Sequence, residues 1–371
     1  MTQKRTIVDF HIIQSLPSNN INRDMSGLPK SCLYGGVQRA RVSSQAWKRA
    51  MREYFADHED LGLGTRTRQI ADVIADMLVE SKKMKRDVAH AQTVRVFSFK
   101  SNVALPIDPK KGALKSVAFF SRHQLEQLAD LVWKASKSKS MSDDMKRECG
   151  EAIAVVMRDK TLMDADIALF GRMIAGDHES AVEAASSHMH SISTHEVEIE
   201  SDEFTTVDDH TGTTGSAHLG NHEHQSATLY RFATIDVDEL ARSVGAERAV
   251  DAVSAFAKAF VHSVPKGRST TFFASTPPSF VVISVREDRP QPYVVAFESP
   301  VVSAGVGYIG ESVTKFVEYA GMLTQNLDDK PVHTRFMSMV TEGHGLPGAQ
   351  DSLNGIIEGT AHEVSSRLGV K

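Results

Sequence analysis

Only two cysteines, Cys32 and Cys149, occur in 371 residues, too few for a disulfide framework or a Cys-rich zinc module and in keeping with a compartment where free thiols survive. No apolar run approaches the roughly 18–20 residues a membrane-spanning helix needs. Near the start, Asp9, His11, Gln14 and Asn19 interrupt the hydrophobicity, so this stretch does not read as a signal peptide and a cytoplasmic protein is expected. With 24 glycines and 12 prolines, collagen-like, mucin-like and wholly disordered chains are excluded. What is present, 41% hydrophobic and 24% charged residues, is ordinary globular composition, and the length allows two or three domains at roughly 150 residues each.

An overall positive charge is also lacking, since 42 Lys/Arg face 47 Asp/Glu for a net −5. That average hides a division. Residues 1–115 carry 20 Lys/Arg against 11 Asp/Glu, a net +9, and the remainder carries 22 against 36, a net −14. A polyanion would choose the first part, although a solvated charged face explains the same numbers.

Arg5 to Ile13 reads as a buried first strand. From Gln14 to about Arg41 a Ser/Asn/Pro/Gly-rich stretch predicts a long loop, of a length that implies a task. Ser43 and Ser44 can cap a helix whose apolar positions Trp47, Ala50, Met51, Tyr54 and Phe55 form one stripe. Between about Leu61 and Ser191 the pattern is helical and Ala-rich, an inserted helical subdomain. Ile192 to Thr206 is strand-like, and the segment His195–His210 holds seven acids and no Lys or Arg, which suggests a projecting hairpin arm. Thr228–Val237 reads as a strand, Glu247–Val264 as an amphipathic helix and Ser279–Val285 as a strand, with further helices at about Glu311–Leu327 and Asp351–Leu368. This order predicts an α+β fold of ferredoxin-like or RRM-like type with an enlarged first half.

The first helix concentrates the basic residues. Lys48 and Arg52 share a face about 6 Å apart along the axis, at about 1.5 Å rise per residue, close to the spacing of phosphates on an extended single strand. Gln45 joins them and Arg49 stands beside them. Arg39 and Arg41 present to a common side, the helix N-terminus at Ser43–Ser44 offers N–H groups to a phosphate, and Arg23 and Lys30 precede in the loop. Together they form a phosphate track with little capacity to read bases. The plainer reading is a solvated face with salt bridges to Glu53 or Asp57.

The stretches INRD (Ile21–Asp24), GGVQRARVSSQAWKRAMR (Gly35–Arg52), DADIALFGRM (Asp164–Met173), STHEVEIESDEFTTVDD (Ser193–Asp209), AHLGNHEHQSATLYRF (Ala217–Phe232) and VPKGRSTTF (Val264–Phe272) resemble the backbone subunit of the type I-E CRISPR surveillance complex Cascade, a CasC or Cse-type RAMP protein. The resemblance runs to about residue 285, is loose after about Arg286, and leaves His222 and His224 as departures. It implies a modified RRM/ferredoxin-like palm (residues 1–60 and 226–371), a helical fingers insertion (61–191) and a β-hairpin thumb (192–225). It further implies copies lined up along one CRISPR RNA, pairing of the guide with target DNA, contact with other Cascade subunits, and no cofactor or membrane. Carried over, Arg23, Lys30, Arg41, Ser43, Gln45, Lys48 and Arg52 hold the guide backbone, with Arg49 beside them, while Phe204 and Met173 wedge at bases so that the guide is kinked at intervals. An acidic arm repels phosphate, which suits Phe204 to insertion between bases, with sequence reading left to base pairing. Without the resemblance, Phe204 reads as packing on its own hairpin and Met173 as a core methionine.

Three other readings compete. Eight of the sixteen histidines lie between His178 and His224, and with Asp208 or Asp209 they suggest a metallohydrolase, though their spacings match no closed zinc pattern. His11 is a candidate general base for RNA cleavage, against the simpler expectation of a satisfied core histidine and a chain that is not an enzyme. A filament that touches no RNA is the third, disfavoured by the N-terminal charge.

Overall fold

The computed structural model describes residues 5–58, 62–99, 105, 107–138, 140–174, 177–207, 210, 214–341 and 345–370, with backbone alone at 206–207 and 214–219. The chain is mixed α+β and divides into two compact units: residues 1–58, 187–237 and 253–371, and residues 59–186 with 238–252.

The first unit is built on its opening strand, β1 (Ile7–Asn19). It is hydrogen-bonded on both sides, antiparallel to Thr214–Asp236 (His11 opposite Phe232) and to Phe280–Arg286 (His11 opposite Val282). Both faces of β1 are also covered, which explains a nearly continuous apolar run in place of alternation. On one face Phe10 packs against Phe256 and Phe260, ring centroids 5.0 and 6.0 Å away. On the other, His11 and Ile13 meet Tyr230, Phe232, Tyr293 and Phe316 in an aromatic core. The sheet continues outward through His333–Ser338 to Ala349–Gln350 on one side, and through Ser191–Ser193 to two further strands on the other.

Those two strands, β2 (Ser31–Tyr34) and β3 (Val37–Val42), fall where a long loop is expected from the sequence. Gly35 and Gly36, at φ +58° and +81°, make the two-residue turn between them, a geometry that needs positive φ at both positions. Gly35 has a second constraint, because any Cβ there would overlap the Glu298 carbonyl oxygen. Helix α1 (Ser44–His58) follows directly, with Trp47, Ala50, Met51 and Phe55 buried as the stripe predicts.

The arm is the strand Glu200–Val207 paired with Thr214–Asp236, which at 23 residues reaches far beyond the strand expected from Thr228. The second unit has its own apolar core, in which Ile70, Ile74, Leu78, Leu128, Val132 and Met157 from successive helices are essentially inaccessible. Its helix Arg122–Ser136 begins with a reciprocal cap, Ser121 Oγ accepting from Gln124 N–H while the Gln124 side chain accepts from Ser121 N–H. The C-terminal quarter, over which the family resemblance is loose, supplies the two expected helices, at Ile309–Leu327 and Leu353–Leu368, and the strand His333–Ser338.

Candidate nucleic-acid interface

The residues expected to form a phosphate track come from three adjoining segments of the first unit, and Asn22 ties these together. Its carbonyl accepts from Lys30 N–H at 2.9 Å and its side-chain Oδ1 accepts from Ser43 N–H at 2.9 Å, while Arg41 N–H donates to the Lys30 carbonyl at 2.9 Å. Between them the 22–30 loop is closed by Asp24, whose Oδ1 accepts from Ser26 and Leu28 N–H at 2.8 and 3.0 Å. Arg23 is thus held exposed at the rim, and Lys30 lies beside Arg41.

On α1, Lys48 and Arg52 occupy one i, i+4 row and Gln45, Arg49 and Glu53 the neighbouring one. Lys48 is half-buried, and desolvation lowers its pKa. Arg49 Nε donates to Glu53 at 3.0 Å and Lys266 Nζ lies 3.4 Å from the same carboxylate. Burial alone would raise the Glu53 pKa, but hydrogen bonds from Arg49 and Lys266 outweigh it and the net shift is downward. The salt bridge anticipated in the plainer reading is therefore present at Arg49. It is also solvent-exposed, of a kind worth roughly 0–1 kcal/mol, and leaves Arg49 able to exchange partners. Arg23, Ser43, Gln45, Arg49, Glu53 and Lys266 line one open cleft of ≈ 840 Å³.

Two expectations need correction. Arg39, read as sharing a side with Arg41, is fully buried: it donates to the carbonyls of Ser193 and Phe297 at 2.8 and 2.9 Å and of Tyr34 and Glu298 at 3.2 and 3.3 Å. It staples β3 to the sheet. The α1 N-terminus, read as open to a phosphate, is partly engaged: Ser44 N–H donates to His190 Nδ1 at 3.0 Å, and Ala46 N–H to the Ser43 hydroxyl and carbonyl at 3.3 and 3.0 Å. Ser43 itself is buried as the cap. Because Nδ1 of His190 is the acceptor, that nitrogen is unprotonated; desolvation, and then Arg41 and Lys30, lower its pKa.

Phe204 and Met173 lie in different units. Phe204 is half-exposed and faces Gly220 across the arm, its ring lying where a Cβ on Gly220 would be and 4.5 Å from the His222 ring. A glycine opposite an aromatic is the arrangement in which the ring shields the bare backbone. Met173 is 84% exposed, whereas Arg172 and Ile174 on either side are buried. The core-methionine expectation is overturned, because strand alternation sends Arg172 inward, and Arg172 holds that register. It donates to the carbonyls of Met157, Ser180 and Phe119 and to Gln124 Oε1, at 2.6, 3.0, 3.3 and 2.8 Å.

The histidines have individual structural settings. His11 is 1% exposed, 2.9 Å from the Tyr230 hydroxyl through Nδ1, and its pKa is driven well down by burial and then Arg286. His195 stacks on Tyr308 at 3.6 Å and accepts from Thr228 N–H at 3.0 Å. His222 lies beside Phe204 and 3.2 Å from Arg268, and His224 packs against Phe272. Among the described residues no three His, Cys, Asp or Glu side chains converge as a metal set; Asp208 and Asp209 lie outside those residues. No described helix is long and apolar enough to cross a membrane.

Two residues of the site have no place in the sequence-based track. Lys266 sits in the cleft because Gly267 lets its loop press on Ile21, where a Cβ would come within 2.5 Å of the Ile21 carbonyl oxygen. His190 meets α1 only through the pairing of its flanking strands. The VPKGR stretch is a visible signal for Lys266; nothing local points to His190.

The chain belongs to the CT1975-like protein family, whose profile matches residues 8–358. It is similar to a solved chain described as "CRISPR RNA-guided surveillance complex, pre-nicking", at 31% identity and a TM-score of 0.81, covering 96% of this chain and 100% of that one. A second, described as "CRISPR RNA-guided surveillance complex", is 29% identical with a TM-score of 0.73, covering 96% of this chain and 99% of the other. No curated protein matches the sequence.

Proposed function

We propose that this chain is a CRISPR RNA-binding backbone subunit of a type I-E Cascade complex, several copies of which line one guide and present its bases to invading DNA. The observation that carries the reading is the end-to-end likeness to chains of CRISPR RNA-guided complexes, combined with a cationic α1 whose i, i+4 spacing suits single-strand phosphates. In this reading the main sheet and its helices act as an RRM-like palm, the helical insertion as fingers and the acidic hairpin as a thumb. Arg23, Lys30, Arg41, Gln45, Lys48, Arg49 and Arg52 hold backbone, with Ser43 fixing the helix start. Phe204 leaves its seat on Gly220 to wedge at a base, and Met173 offers a second apolar surface from a firmly anchored ribbon. Sequence is read by base pairing, other Cascade subunits complete the particle, and the protein's contribution is geometric.

The role is non-enzymatic. His11 is sealed among aromatic rings, with its acidified imidazole remote from solvent, which is unsuited to a general base acting on RNA.

The test is a salt series with single-stranded RNA. For combined Lys48→Ala and Arg52→Ala we expect weaker binding by a similar factor for unrelated sequences, and a log–log salt slope shallower by about 0.7 for each phosphate that is no longer neutralised. Unchanged affinity, or a weakening that depends strongly on sequence, would remove the phosphate track.

A further inference from the structure

Beneath α1 lies a guanidinium that none of the above uses. Arg231, on the long strand Thr214–Asp236, is fully buried. Its guanidinium lies 3.7 Å from the centroid of the Trp47 ring on α1 and 4.8 Å from that of Phe260. It donates to Gln14 Oε1 at 2.6 Å and to the Phe260 carbonyl. Among the described residues no carboxylate pairs with it, and neither its Nε nor Trp47 Nε1 has a partner.

The other buried arginines are better satisfied: Arg286 is neutralised by Asp9 at 2.9 Å and by Asp329, Arg39 donates to four carbonyls, and Arg172 to three carbonyls and Gln124 Oε1. Arg231 has two acceptors and two aromatic faces for five donors and a full charge. Burial pulls its pKa down to about 9, which still leaves it a cation at neutral pH. The His188 ring lies 5.3 and 6.3 Å, centroid to centroid, from the Phe256 and Phe260 rings, and burial, followed by the charges of Lys48 and Arg231, lowers its pKa well below the ordinary value.

A buried charge without a counter-ion is unfavourable, and its field is poorly screened because little water surrounds it. We infer that Arg231 is a positioning residue for RNA, clamping Trp47 and so α1, with a buried positive charge that is compensated only when a polyanion lies along the outer face of that helix. This rests on the RNA-binding reading of α1.

The experiment measures binding of the full-length protein to a fluorescently labelled single-stranded RNA, alongside thermal melting without RNA, for Arg231→Met, Arg231→Lys and the Lys48→Ala/Arg52→Ala pair. Arg231→Met, similar in length and uncharged, relieves the buried charge but leaves Gln14 Oε1 and the Phe260 carbonyl without their donor, so it is expected to melt lower than wild type and to bind RNA about tenfold more weakly, the size of one charge interaction across a partly desolvated site. Arg231→Lys keeps the charge but not the planar fork, so it is expected to melt lower while retaining affinity within about threefold. The inference is overturned if Arg231→Met binds RNA like wild type, or if Arg231→Lys loses as much affinity as Arg231→Met. Should Arg231→Met fail to fold, Arg231→Gln takes its place, keeping a side-chain donor near Gln14 Oε1 and the Phe260 carbonyl but carrying no charge: wild-type affinity overturns the inference and a tenfold loss supports it. If the Lys48/Arg52 pair keeps wild-type affinity, the α1 interface fails and the inference with it. If the pair loses affinity and Arg231→Met does not, the inference alone fails.

Discussion

His11 occupies the centre of the first unit between the rings of Tyr230, Phe232, Tyr293 and Phe316, and burial followed by the Arg286 charge drives its pKa well below 6.5. The folded protein therefore keeps His11 neutral while the unfolded chain takes up a proton near pH 6.5. Below that pH the unfolded state binds more protons, so stability falls as pH falls, by up to about 1.4 kcal/mol per unit for this group. Asp9, whose carboxyl burial raises to about 6, contributes with the opposite sign between its unfolded value and pH 6. The readout is thus a difference: melting temperature should drop more between pH 7.0 and 5.5 in wild type than in His11→Gln. Equal drops would show that His11 titrates alike in both states. The same single-residue scale separates two arginines two positions apart. Arg41 remains beside Lys30 at the interface, whereas Arg39 goes inward to four backbone carbonyls. The sequence shows the spacing of the pair but not which of its members the sheet encloses.

At the scale of elements, the interface is assembled from one helix and the two loops pressed against it. The 264–268 loop can approach Ile21 only because residue 267 has no side chain. Gly267→Val is expected to push this half-buried loop outward, carry Lys266 away from Glu53 and reduce RNA affinity several-fold, while lowering global stability by only about 1 kcal/mol, because the loop can move without opening a core. RNA titration and chemical denaturation of the same variant distinguish this from general unfolding; unaltered affinity would place the loop outside the interface. Elements with a strong local period are legible in the sequence. The α1 stripe and the Ile309–Leu327 and Leu353–Leu368 helices lie close to their expected bounds, whereas the first strand begins near its expected start but runs on to Asn19, six residues into the stretch expected as loop. The hairpin of β2 and β3 is hidden there because a polar composition outweighs its turn signal, the Gly35–Gly36 pair. Met173 is hidden for a related reason: a methionine after a helix end looks like core until Arg172 is seen to take the inward position.

On the scale of the whole molecule, two units with separate apolar cores make independent stability a direct expectation. Leu128 is inaccessible in the core of the second unit, and Leu128→Ala should cost about 2–5 kcal/mol there. Calorimetry is expected to show a transition lowered in temperature while a second, belonging to the first unit, stays in place; a single transition shifting as a whole would show that the units unfold together. The charge division is also a property of the whole chain, since the basic first 115 residues contribute to both units. Short-range features are legible in the chain: helix period, the Ser43 cap, the phosphate-like spacing of Lys48 and Arg52, and the acidity of the arm. Tertiary structure alone decided the fates of Arg39, Arg231, Met173, Phe204 and the histidines. The physical reason is that a strand's two faces are equivalent until distant partners cover one of them, and those partners, joined by long-range pairing, cannot be read from neighbours along the chain.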